Sequence, residues 1–413
     1  ETPLSVQWVW PSTLSYGVRL RALEEFCDLL TEAYAQFPAR GHAMEIGHDF
    51  LEAVLPALLK SFNETLPPGV RIPKLAALVC ASAFDLALHD AYGVANEVPT
   101  YETYRQPWMN HDLAAFLQPA ADAPTVSFAG QFPVDYFRTP PVTSLLAWHL
   151  VGGLDYLTIA EAGANLVADA YPSSLDEWIR RDGLKALKVK LRGDDAVWDF
   201  ERLQRVAEIG LAGGVELFTA DFNCTVTDPA YVNGVLDRVK VELPALWSRL
   251  SYVEQPFPYE LEAHRIDVHS VSNRCPLFLD ESAHDWRIVR LGRELGWTGV
   301  ALKTCKTQTG ALLSLCWARA HGMQLMVQDL TNPMLAQVTH VLLGLHAPTI
   351  AGIETNGMQF YPAASAPEAQ VHPGLYLRQG GQVDAATVAG PGFGYRVGEI
   401  SRSLPAPRVS FPA

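Results

Sequence analysis

The spacing of apolar residues divides the chain into two textures. Leu20, Leu23, Phe26, Leu30 and Ala33 recur at three- and four-residue steps, the signature of one face of an amphipathic helix. A second helical segment is expected over about 46–62. A third follows Pro73 and runs through Ala76, Leu78, Ala81, Phe84, Leu88 and Ala91 to Gly93. Proline in the first turn and glycine past the end are the usual punctuation of a helix. Residues 97–142 are rich in Pro, Tyr and Phe, and the prolines argue for loops. From about residue 144 short apolar strands alternate with helical stretches, which is the βαβ pattern of a parallel sheet. The strands read at 145–150, 186–191, 216–221, 250–254, 277–280, 299–303, 324–327 and 349–354. Eight such units predict a (β/α)8 barrel of TIM type whose last helix is not legible. The expected division is a capping domain over 1–125, mostly helical, a barrel over 126–355, and a Pro/Gly-rich segment over 356–413 that returns to the cap. Within that segment, 383–397 is expected to form an edge strand or hairpin.

Length and composition narrow the class. With 413 residues and 49% hydrophobic positions, the chain suits two or three folded domains. Its net charge of −14, with no Lys/Arg block, makes it a poor binder of nucleic acid. The six cysteines (Cys27, Cys80, Cys224, Cys275, Cys305, Cys316) are scattered and form no CxxC. They read as small core residues of a protein in a reducing, cytoplasmic setting. No apolar run reaches the roughly 18 residues of a membrane span; the longest, 75–84, stops at Asp85. No signal peptide is visible, and no membrane partner is expected.

Only 18% of residues are charged, so their placement is informative. Five apolar strands end on an ionisable residue: Lys190, Asp221, Glu254, Asp280 and Lys303. One such charge is ordinarily a helix cap or a solvated loop residue. Five in register, each about one βα unit from the next, converge on the C-terminal rim of a barrel, where catalytic groups sit. Three carboxylates from successive strands form a hard oxygen site suited to Mg²⁺; ion pairing with the lysines ranks second. The HxH, HExxH and paired CxxC signatures of zinc are missing. Lys188 and Lys190 lie two apart on a strand and share a face. Each disfavours the other's charge, and a metal nearby adds to that, lowering the lysine pKa as a base requires. Lys303 closes the sixth strand, opposite the second. Lys306 reads as a solvated residue opening the next helix. The chemistry this suggests is removal of the proton α to a metal-bound carboxylate, through an enediolate.

These residues, in this order, resemble the enolase superfamily, in its muconate-lactonizing-enzyme-like subgroup. The likeness covers about 184–354 and reaches back to DLALHDAYG at 85–93. It rests on K-x-K at Lys188 and Lys190, D-x-N at Asp221 and Asn223, VEQP around Glu254, DES at Asp280–Ser282, and Lys303 in ALKTCK. The resemblance implies an α+β cap over the barrel and one Mg²⁺ held by Asp221, Glu254 and Asp280. It implies Lys190 and Lys303 as the acid/base pair, with Lys188 modulating Lys190 or touching the substrate carboxylate. Asn223 and Glu281 would support the metal site from its edge. Glu354 either contacts substrate or pairs with a lysine. The mandelate-racemase subgroup fits less well, because Gln328 and Asp329 follow strand seven in place of a histidine, and His321 precedes that strand. The chain departs from the family's frequent Gly-Gly after strand six, carrying Gln308-Thr309-Gly310, and the strands that open such a cap are not legible before Tyr16.

The sequence therefore predicts a Mg²⁺-dependent enzyme acting on a small carboxylate and forming homo-oligomers. Racemisation or epimerisation is favoured because two opposed lysines suit proton transfer on two faces. Dehydration or cycloisomerisation is the alternative, and a catalytically lapsed carboxylate-binding barrel the next. The glycines of GPGFG (390–394) lack the strand–turn–helix context of a dinucleotide site.

Overall fold

The computed structural model describes residues 4–163 and 171–410. The cap is built from α1 (Tyr16–Gln36), α2 (Ala43–Asp49), α3 (Leu55–Thr65) and α4 (Lys74–Ala95). Its described residues are helical and contain no strand. A π-helical turn at Phe50–Val54 joins α2 to α3. Pro56 explains it: proline lacks the amide proton for the regular bond and its ring collides with the carbonyl four residues back, so the turn widens. α4 is long and apolar enough to cross a membrane, with a mean hydropathy of 1.3 over its best window. Here that character reflects burial, since 61% of the window is inside the fold. Between Pro99 and Val142 the chain forms only short 3-10 turns, as its prolines dictate.

The barrel strands run β1 (Ser144–Val151), β2 (Ala186–Lys190), β3 (Leu217–Asp221), β4 (Leu250–Glu254), β5 (Leu277–Leu279), β6 (Gly299–Leu302), β7 (Gln324–Val327) and β8 (Ile353–Glu354). Their order is β7-β6-β5-β4-β3-β2-β1-β8, all parallel. A bridge between Gln328 and Glu354 brings the two ends together. This is the expected (β/α)8 architecture. A ninth strand, β9 (Gln382–Asp384), pairs antiparallel with β1, inside the segment expected to carry an edge element. Trp148, Ala186, Tyr252, Phe278 and Met326 fill the barrel with an apolar plug, and Tyr252 stacks on Phe278 with centroids 4.4 Å apart.

Cap and barrel meet through a buried polar chain. Gln308 Nε2 donates to Tyr104 Oη (3.2 Å), whose hydroxyl lies 2.9 Å from His89 Nδ1. His89 Nε2 lies 2.9 Å from Thr309 Oγ1, which donates to Asp85 Oδ1 at 2.8 Å. The Thr309 amide donates to Asp85 Oδ2 at 3.0 Å. Tyr104, His89, Thr309 and Asp85 are mutually satisfied if His89 is neutral with its proton on Nε2, and burial does push its pKa down to about 3. Thr309 thus has a structural reason to stand in the Gln308-Thr309-Gly310 turn. Gly47 of α2 lies against this junction. A Cβ there would approach Thr309 Oγ1 to 2.3 Å and Asp85 Oδ1 to 2.5 Å. Gly47→Ala is therefore expected to cost about 1–3 kcal/mol by forcing cap and barrel apart. Denaturant unfolding that leaves its stability unchanged would refute this account of the junction.

Candidate active site

Strand alternation places the charges. On β2, Lys188 and Lys190 point into the barrel while Val189 packs outward. The parallel register sets Lys190 beside Asp221 and Asp221 beside Glu254, so three charged residues of neighbouring strands share one level. Asp280 follows β5, Lys303 follows β6, and Glu354 ends β8. The sequence prediction that these residues converge is met.

Their geometry is a network of lysines set between acids. Lys188, 2% exposed, contacts Glu254 and lies 3.0 Å from Glu354 and 3.1 Å from Asp221. Lys190 lies 2.5 Å from Asp221 and donates to Asn223 Oδ1 at 2.8 Å. Lys303 lies 3.0 Å from Asp280 and donates to the Asp329 carbonyl at 3.2 Å. Glu354 pairs with a lysine and also lines the cavity described below. Asn223 adopts a left-handed φ of 53°, a conformation asparagine tolerates well. Its side-chain amide donates to the Leu191 carbonyl, so it braces Lys190. The remaining Glu254 oxygen accepts from Gln328 Nε2 at 2.5 Å. Gln255 Oε1 accepts from the Asp280 amide and the Ser282 hydroxyl, holding the DES turn.

Burial raises the stakes of each charge. It pushes the Asp221 carboxyl up, but Lys190 and Lys188 outweigh it and hold the pKa at about 2. Asp280 is likewise held well below the usual carboxylate range by Lys303, Lys306 and Lys188 against its burial. Burial pulls Lys190 and Lys303 down, yet Asp221 and Asp280 carry them above the ordinary lysine value. Each amine sits directly on a carboxylate, which favours its charged form. Burial outweighs Lys188 at Glu254 and raises that acid. Glu281 is raised by burial and by Asp280 and Asp221.

Lys306 corrects the sequence reading. It is 5% exposed, contacts the Asp280 carbonyl and lies 3.6 Å from Asp280 Oδ1. The residues Thr304–Lys306 form a 3-10 turn, and that helix returns to the same face every three residues. The K-x-x-K spacing was the available signal. Asp329 Oδ2 accepts from the amides of Asn356 (2.6 Å) and Gly357 (3.1 Å), fixing the loop after β8. Its pKa is pushed up to about 6 by burial and by Glu354. His321 ends the helix Gln308–Ala320, away from these groups.

A cavity joins the elements: Lys188, Lys190, Lys303 and Lys306 line it together with Asp280, Glu281, Asp329 and Glu354. Within it Asp280 Oδ1, Glu281 Oε2 and Asp329 Oδ1 are buried without a hydrogen-bond donor. Among the described residues no three acids, histidines or cysteines are drawn together as a metal-holding group; Lys188 stands between Asp221, Glu254 and Glu354.

Residues 170–400 match the family described as Enolase C-terminal domain-like. The chain belongs to the enolase superfamily, in its mandelate racemase/muconate lactonizing branch. No curated protein matches it by sequence. Among solved structures it is similar to a dipeptide epimerase from Methylococcus capsulatus complexed with Mg ion, at 21% identity and a TM-score of 0.52, over 84% of each chain. It is also similar to a mandelate racemase/muconate lactonizing protein from Herpetosiphon aurantiacus, at 17% identity and a TM-score of 0.51, over 85% of this chain and 82% of that one. At these identities the likeness establishes the fold. Membership in the enolase superfamily brings its carboxylate chemistry, the isomerase and lyase reactions, in general terms.

Asp221 titrates at about 2 in the folded chain and near 3.8 when unfolded, so the unfolded state binds the proton first as the pH falls. Its stabilising contribution of about 2 kcal/mol is complete above about pH 5 and is lost progressively as the pH falls through 3.8 toward 2. The stability difference between the native chain and Asp221→Asn should shrink over that window. A difference that stays constant from pH 5 to 2 would remove Asp221 from the network.

Proposed function

We propose that this enolase-superfamily chain is a Mg²⁺-dependent racemase or epimerase that moves the proton α to the carboxylate of a small substrate. The observation that carries the reading is the cavity itself: Lys190 from β2 and Lys303 from β6 both line it, beside Asp280 and Glu281. Two amines on strands far apart in the ring favour proton transfer at both faces of one carbon. A lapsed binding barrel fits less well, since buried charges cost several kcal/mol each and binding alone would not call for an amine on each side of the cavity.

The donor set suits a hard divalent cation. Asp221, Glu254 and Asp280 offer carboxylate oxygens at successive strand ends, and the unpartnered oxygens of Asp280 and Glu281 leave negative charge to be met. These three acids would hold Mg²⁺. When bound, it supplies positive charge where the substrate carboxylate gains electron density. The chain's own residues do the rest. Lys190, braced by Asn223, takes or returns the α-proton on one side. Lys303, held by Asp280 and the Asp329 carbonyl, does so on the other. Lys188 keeps the acids of β3, β4 and β8 together and adds charge facing the substrate carboxylate. The apolar plug below keeps water from the barrel interior.

Incubation with Mg²⁺ in D₂O and pooled carboxylates tests this reading. Deuterium at Cα with inverted configuration is the expected result; loss of water would make the protein a lyase of the same superfamily. Lys190→Ala and Lys303→Ala should each slow exchange by about 10²–10⁴-fold with unchanged circular dichroism. Native rates in either variant would overturn the acid/base assignment. Asp280→Asn should weaken Mg²⁺ binding more than tenfold by calorimetry, and unchanged affinity would remove it from the ligand set.

A further inference from the structure

The same cavity has a second wall that the proton-transfer chemistry does not use. All of its charged groups come from barrel strand ends and the turns beyond them. The cap contributes Trp8, Leu75 and Val79, and each is apolar. Leu150 of β1 and Leu330 after β7 extend that apolar face, and Thr331 beside Leu330 turns its hydroxyl to the Leu330 carbonyl. Trp8 is 44% exposed, and its ring lies over Lys190, with Nζ 5.8 Å from the centroid, within cation–π reach.

Trp8 is held in place from both sides. Its neighbours Val6, Val9 and Trp10 are buried in the cap core. Arg19 donates to the Trp10 carbonyl at 2.6 Å and to Gln7 Oε1 at 2.7 Å. On the barrel side, Asn332 Nδ2 donates to Ser5 Oγ at 2.9 Å. The cap segment therefore spans the cavity mouth as a fixed strap, with the indole as its inward feature.

We infer that the substrate is a compact carboxylate whose remaining substituent is apolar, and that Trp8 is the residue selecting it. This rests on the functional reading above for the orientation of the carboxylate toward the lysines. A charged or hydroxylated substituent pointing at Trp8, Leu75, Val79 and Leu330 would lose water and gain no partner, at a cost that decides between substrates. The lysines lie on the opposite, barrel side of the cavity, each against acids or carbonyls. The unpartnered acid oxygens all lie on the barrel side. The cavity has a volume of about 50 Å³, which suits a small substituent lying against the indole.

The test separates binding from turnover. With Mg²⁺ present, calorimetry on the full chain would compare 2-methylbutyrate and 2-phenylpropionate with malate and an alanyl-glutamate dipeptide. The apolar acids are expected to bind at least tenfold more tightly, the size of effect a few buried carbons produce. Trp8→Ala should remove most of that preference, and Val79→Thr, which keeps volume and adds a hydroxyl, should reduce it. Equal or tighter binding of the polar acids overturns the inference, as does a preference unchanged in both variants. Selective binding of the apolar acids with no Cα exchange in D₂O would leave this inference standing and defeat the racemase reading instead.

Discussion

The arrangement depends on the cost of burying charge at the mouth of a barrel. Lys188, Lys190, Lys303 and Lys306 share the site with Asp221, Glu254, Asp280, Glu281, Asp329 and Glu354. An isolated ion in such a place is penalised by several kcal/mol. The network is tolerable because its partners are shared. Lys188 alone engages acids from β3, β4 and β8, so three strands must keep their register for one amine to be satisfied. Gln328 and Gln255 are buried for the same reason, since each supplies a neutral hydrogen bond to an acid or to the turn carrying one. The plug of Trp148, Tyr252 and Phe278 beneath them keeps the effective dielectric low, and this strengthens every pair above it.

The cap answers a different constraint. It must close over the charged rim without adding unpaired charge. Its polar groups are spent at the junction, where Asp85 and His89 satisfy Thr309, while the residues it shows to the cavity are apolar. In the proposed reading, recognition and chemistry fall to different parts of the chain: the barrel carries the groups that move a proton, and the cap carries the surface that sorts substrates by what surrounds the reacting carbon.

The barrel and its charged ring were legible in the sequence because both follow from short-range rules. Period-two alternation places Lys188 and Lys190 on one face, and apolar runs ending in a charge mark the rim. The strands 250–254 and 324–327 appear with the predicted bounds. What was not legible depends on packing between distant segments. Lys306 was read as solvated because its turn, not its neighbours in sequence, points it at Asp280. Gln328 looked like the lack of a histidine, yet it caps Glu254 across 74 residues. Trp8 carries no motif; only the folded strap brings it over Lys190. The partners of the amines were not legible for a related reason. The sequence places two amines near each other but does not say that each rests on its own carboxylate.

That last point bears on how the site would work. Lys190 owes its raised pKa to Asp221, and Lys303 owes its own to Asp280. In the proposed reading these two acids are also the ones that hold the cation. A carboxylate shared between an amine and a divalent ion would give less of its charge to the amine, so both lysines would become better bases with the cation site filled. Asp221 and Asp280 then act as the link between cofactor and base. Lys188 is held differently, by Glu354 as well as by Glu254 and Asp221, and it keeps a partner throughout. In this reading the lysine that should remain charged differs from the two that must be able to lose a proton in being the one in direct contact with an acid outside the proposed ligand set, Glu354.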